Sequence, residues 1–148
     1  INNPSYRVLQ KDSVAHIIQH QELGITAYAI FEANKSISGP LMKTTAPLLA
    51  MYQLKNERVL LTVANPDIKQ PKFNHNMSHM PDEITNGLNK GGIVSITLKG
   101  DWHLAKYNIN VVNITYQNGN SIIEIYTKDG KSIDVDLQHR SADAGGER

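Results

Sequence analysis

The chain contains no cysteine. Disulfides, thiolate metal sites and cysteine nucleophiles are therefore excluded, although this alone does not fix the compartment. No apolar run approaches the roughly 20 residues of a membrane-spanning helix. Neither sign of charge is in surplus: 15 Lys and Arg stand against 14 Asp and Glu, a net charge of +1. Binding of nucleic acid or a membrane surface through bulk charge is not suggested. The chain begins at Ile1 without a signal-peptide pattern, so the expectation is a processed product or an excised module. What remains suits a globular domain. The 148 residues fit one domain of the usual roughly 100–200. An apolar share of 40% rules out disorder, collagen and coiled coil for the bulk of the chain.

Short β-branched runs separated by turns dominate. In Ile93-Val94-Ser95-Ile96-Thr97-Leu98, the residues Val94, Ile96 and Leu98 share one face. Runs 109–116, 121–127 and 131–137 follow, with Asn118-Gly119 and Asp129-Gly130 between them. Both pairs tolerate positive φ and favour hairpin turns. Ile133, Val135 and Leu137 alternate with Asp134 and Asp136, the pattern of a half-buried antiparallel strand. Glu124 shares their outward parity, so the three carboxylates are expected on one acidic strip. The first half gives strands over 6–10, 14–19, 25–32, 41–45, 48–54 and 58–64. The 48–54 stretch also fits helical spacing behind Pro47, and its neighbours favour strand. About ten strands and no long helix predict an all-β fold, an antiparallel β-sandwich spanning residues 1–138. Residues 66–92 read as a long loop or insertion, and 139–148 as a flexible tail.

Few residues suggest catalysis. His75 and His79 have an H-x3-H spacing, but no Glu follows the first and prolines bracket the stretch, so no metal is expected. His16 sits inside an apolar strand, where a structural role is expected. No Gly-x-Ser-x-Gly, P-loop or paired-carboxylate constellation stands out, and no cofactor is implied. The stretch from Lys99 to Tyr107 is richer. It holds the one tryptophan, Trp102, with His103, Lys99, Lys106 and Tyr107 between two strands. Aromatic rings stack on sugar faces, and ammonium groups attract carboxylate or sulfate. The alternative is that Trp102 plugs the end of the sandwich.

At this point the residues resemble a family. Tyr6-Arg7-Val8-Leu9-Gln10-Lys11-Asp12, Val14-Ala15-His16-Ile17-Ile18 and Ile25-Thr26-Ala27-Tyr28-Ala29-Ile30-Phe31 are similar to the C-terminal domain of polysaccharide lyase family eight, which includes chondroitinase ABC-like and hyaluronate lyase-like enzymes. Lys43, the run from Arg58 to Asp67 and the run from Val94 to Trp102 continue the match in order, and it extends loosely to about Leu137. Between Ile68 and Gly91 the chain departs from the family and looks longer. The resemblance implies a small β-sandwich, a secreted or periplasmic parent, and the parent's catalytic domains as partners in cis. The family's catalytic residues lie in upstream domains, so no catalytic residue carries over.

Two functions then compete, with an independent enzyme a distant third. One is a non-catalytic carbohydrate-binding module for chondroitin sulfate or a related acidic glycosaminoglycan. The other is a structural domain that packs on the central β domain without a ligand. A large exposed apolar patch would favour the second, and a hydrophilic surface with clustered cations the first. If successive connections alternate between the two ends of the sandwich, Lys11, Lys55, Arg58, Lys99, Trp102, Lys106 and Tyr107 gather at one end as a carbohydrate site.

Overall fold

In a computed structural model, which describes residues 5–66, 92–127 and 131–140, eleven strands and no helix are found among those residues. In chain order they are β1 (Tyr6–Lys11), β2 (Ala15–His20), β3 (Ile25–Ile30), β4 (Leu41–Thr44), β5 (Leu48–Lys55) and β6 (Arg58–Ala64). There follow β7 (Gly92–Lys99), β8 (Trp102–Leu104), β9 (Val111–Gln117), β10 (Asn120–Thr127) and β11 (Ser132–His139). A seven-stranded sheet has the order β1-β2-β3-β5-β6-β11-β8, and a four-stranded sheet the order β4-β7-β10-β9. Every pairing is antiparallel.

The expected sandwich is therefore present, with β8 as a strand that the sequence pattern did not reveal. The 48–54 stretch is a strand, as its neighbours suggested. The 131–137 run extends to His139, so the last strand enters what was read as tail. His75, His79, the Asp129-Gly130 turn and most of the 66–92 and 139–148 segments lie outside the described residues.

Period-two alternation builds one core between the sheets. The larger sheet contributes Ile17, Tyr28, Val59, Leu61, Val135 and Leu137, and the smaller one Leu41, Ile96, Leu98, Ile123 and Ile125. The buried hydroxyls of Ser121 and Thr127 are bonded, as burial demands. Ser121 Oγ donates to the Gly100 carbonyl at 2.7 Å and Thr127 Oγ1 to the Gly92 carbonyl at 3.1 Å. Tyr28 ties the layers together: its hydroxyl on β3 accepts the Leu41 N–H of β4 at 3.0 Å. Gly39 passes directly over this bond with φ +94°, and a Cβ there would lie 2.5 Å from the Tyr28 hydroxyl. Burial raises the Tyr28 hydroxyl far above its usual pKa, and burial also raises Tyr52.

The connection from β3 to β4 decides which loops share an end. Its Asn34 N–H donates to the Thr44 carbonyl at 2.7 Å and its Ile37 N–H to the Met42 carbonyl at 3.0 Å. It thus runs antiparallel beside β4 before turning back at Gly39-Pro40. This extra pass brings β5 in at the end where β3 stopped, with Leu48 opposite Ile30. The count of alternating connections slips by one from there on.

Candidate functional site

That slip divides the predicted site residues. Lys11 closes β1 at one end of the sandwich, opposite His16. Lys55 and Arg58 flank the β5–β6 hairpin at the other end, where Lys99 also closes β7 opposite Asn120. Lys106 and Tyr107 belong to neither end. They lie on the β8–β9 link, which runs along β11: the Ala105 N–H donates to the Asp136 carbonyl and the Asn108 amide to the Asp134 carbonyl, both at 2.8 Å. The expectation of a single basic end is corrected accordingly.

Trp102 is only 6% exposed. Its indole N–H donates to the Lys99 carbonyl at 2.7 Å, and its ring meets His139 edge-on at 5.0 Å. Its backbone N–H is held by Ser121 Oγ at 2.8 Å. Of the two readings of Trp102, the structure places it as the plug, with no ring face turned to solvent. Tyr107, by contrast, is 82% exposed.

The hairpin end carries a shallow groove of about 420 Å³ lined by Gln53, Lys55, Asn56, Arg58, Val59, Leu60 and Asp136. Asn56 and Glu57 form its tip with φ of 52° and 65°, the double left-handed turn that matches strand twist. The Arg58 guanidinium grips Asp136 with contacts of 3.0 and 3.1 Å, so its charge is largely matched. Lys55 makes no ion pair among the described residues. The expected three-carboxylate strip is also corrected. Asp134 and Asp136 lie on the larger sheet, with Thr62 Oγ1 donating to Asp134 at 2.8 Å, whereas Glu124 lies on the smaller sheet. The cause is that β10 and β11 lie in different sheets and do not pair with each other.

At the opposite end, the Ala15 and Val14 N–H groups and the Gln10 amide donate to Asp12, which holds its carboxyl below the usual range. No group of three His, Asp or Glu side chains among the described residues is placed to hold a metal ion.

The most unusual surface is the outer face of the seven-stranded sheet. Tyr6, Val8, Ile18, Ala27, Ala29, Leu49, Met51 and Leu60 follow one another across five strands. Val8 is 63% exposed and Met51 47%. His16, expected in a structural role, is exposed. It lies on this face with its ring edge-on to Phe31 at 5.0 Å, and His20 meets Tyr6 in the same way at 4.8 Å. The sequence carried a signal for this surface. Leu48-Leu49-Ala50-Met51-Tyr52 and Val59-Leu60-Leu61 are apolar at consecutive positions, the mark of strands covered on both faces.

Residues 7–73 match the sequence model of the polysaccharide lyase family 8, C-terminal beta-sandwich domain. The chain is such a domain. It is 31% identical over 149 aligned residues to a chondroitin sulfate ABC exolyase of Bacteroides thetaiotaomicron, covering 91% of this chain and 15% of that protein. A chondroitin sulfate ABC exolyase of Proteus vulgaris is 33% identical over 67 residues, 44% of this chain and 7% of that protein. The fold also matches the chondroitin AC lyase of Streptomyces coelicolor A3, solved in complex with chondroitin sulphate. The TM-score is 0.67 at 14% identity, covering 93% of this domain and 16% of that chain. The domain thus spans a small part of the length of the lyases it matches.

Proposed function

We propose that this domain is a non-catalytic part of a secreted or periplasmic glycosaminoglycan lyase, and that it docks on the rest of its parent through the outer face of the seven-stranded sheet. The observation that carries this reading is the contiguous apolar face from Tyr6 and Val8 to Leu60. Soluble surfaces seldom expose such patches unless they meet a partner. The partner is the remainder of the same polypeptide, because the domain covers only 15% of its exolyase relative. Docking orients the catalytic domains and adds stability, and the domain supplies no reacting group.

The test substitutes Ile18 and Met51, both by Asp, in the isolated domain and in the full-length lyase. Both side chains point to solvent in the isolated domain, so its melting temperature is expected to change little. The full-length protein is expected to release the domain readily under limited proteolysis and to melt several degrees lower. Unchanged melting and proteolysis of the full-length variant would refute the docking role.

A second reading, the carbohydrate-binding module for chondroitin sulfate or a related acidic polysaccharide, is favoured by the groove beside Lys55 and Arg58. Lys99 shares that end. Retention on an acidic-polysaccharide gel, with a neutral polymer as control, tests it. Under this reading a Lys55→Ala, Lys99→Ala variant loses retention while Lys11→Ala, Lys106→Ala keeps it. Each pair removes two positive charges, so bulk electrostatics does not separate them.

A further inference from the structure

A sheet edge is a row of unpaired N–H and C=O groups, and proteins protect such edges with charge, proline, bulges, shortness or a covering segment. Three of the four edges in this sandwich carry such protection among the described residues. Strand β1 bears Arg7 and Lys11, and its register slips between Val8 and Gln10. Strand β8 has only 3 residues. Strand β4 is covered by the segment bonded to it from Asn34 and Ile37.

Strand β9 differs. Its sequence Val-Val-Asn-Ile-Thr-Tyr-Gln holds no charge and no proline. Its single irregularity falls beside Val112, which leaves Asn113 to Gln117 in regular register. Around it the exposed apolar side chains gather: Tyr116 is 55% exposed, Val112 54% and Ile109 78%. Ile114 and Tyr116 have core-facing parity, opposite Ile123 and Ser121, yet Tyr116 is more than half exposed.

We propose that β9 is a self-pairing edge, joining two copies of this chain antiparallel about a two-fold axis at Thr115. The two four-stranded sheets then form one continuous sheet. This register sets Thr115 opposite Thr115, Ile114 opposite Tyr116 and Asn113 opposite Gln117. Aromatic with β-branched and Thr with Thr are favourable cross-strand pairs. The occupant is a second copy because the strand suits itself. On a two-fold antiparallel axis a charged residue at the axis would face its own twin, and like charges at equal offsets on either side of the axis would face each other; β9 carries no charge at all. The same pairing along β1 would bring its two cations against those of the other copy. A symmetric contact of this kind closes after two chains.

The absence of native cysteine gives a direct test. Residues opposed across an antiparallel pair have Cβ atoms about 4.5–5.5 Å apart, near the reach of a disulfide. Thr115→Cys is expected to cross-link into a reducible dimer under mild oxidation, while Lys43→Cys, on the far edge of the same sheet, stays monomeric on a denaturing gel. Sedimentation of the unsubstituted chain is expected to show a monomer–dimer equilibrium. Thr115→Lys should abolish the dimer with an unchanged circular dichroism spectrum, and Met51→Lys, on the larger sheet, should preserve it. A monomer at every concentration up to the millimolar range overturns the proposal. So does a dimer that Met51→Lys dissolves and Thr115→Lys does not, which would place the contact on the face assigned to docking.

Discussion

Replacing Trp102 separates its two readings most sharply. In Trp102→Ala the core loses its largest ring from a site that is 6% exposed, and the Lys99 carbonyl loses its indole donor at 2.7 Å. Truncations of buried Trp or Phe cost about 3–5 kcal/mol. That is a large share of the roughly 5–15 kcal/mol that holds a domain together. At about 2–4 °C per kcal/mol for a chain near this length, the melting temperature should fall on the order of 10 °C. Trp102→Phe keeps most of the packing and gives up the indole hydrogen bond, so it should cost only about 1–2 kcal/mol. Urea unfolding followed by far-ultraviolet circular dichroism measures both, since the substitution removes the only tryptophan fluorophore. If Trp102→Ala unfolds within about 1 kcal/mol of the parent chain, less than any such truncation costs, and also loses retention on an acidic-polysaccharide gel, the plug is refuted and the ring is a ligand contact.

Tyr28→Phe strands the buried Leu41 N–H and should cost about 1–3 kcal/mol by the same unfolding assay. Because burial raises the Tyr28 and Tyr52 hydroxyls, stability is full below the unfolded tyrosine pKa of about 10 and falls as pH rises above it. Urea midpoints from pH 8 upward, roughly the range that spans that pKa, should therefore decline less steeply in Tyr28→Phe, and equal declines would refute the assignment. Glu57 holds φ +65° at the hairpin tip, so Glu57→Gly should relieve strain and raise stability by roughly 0.5–1 kcal/mol, seen as a higher urea midpoint.

Much of the sandwich was legible where one face of a strand meets water. Alternation over Ile93 to Leu98 and over Ile133 to Leu137, with Asn118-Gly119 as a turn, marked the strands and their inward faces because solvent demands polar residues at every second position. Where that demand is absent, the pattern blurred. The helical alternative behind Pro47 arose because Met51, apolar on the outward side like Leu49, falls at helical spacing with the inward Leu48 and with Lys55. The ambiguity and the docking face are thus one fact seen twice. The direction of later strands was hidden in backbone hydrogen bonds of Asn34 and Ile37, which have no side-chain signature. Strand β8 was hidden by its length, since 3 residues show no period. The cations of the candidate site were easy to find, but their grouping depended on that hidden turn.

The place of β11 carries a consequence for biosynthesis. Among the described residues, the strand bearing Trp102 pairs only with β11, which also completes the flank of β6. A ribosome delivers β8 well before β11, so the nascent chain must hold a large indole, and the Val59, Leu61 and Val63 flank, without their neighbour until the last described strand emerges. Closure is thus a late, long-range event of the kind that slows β-rich folding and leaves partly folded chains prone to aggregate. Loss of β11 would leave β8 without a sheet to join, and the tryptophan would pass from anchor to sticky surface.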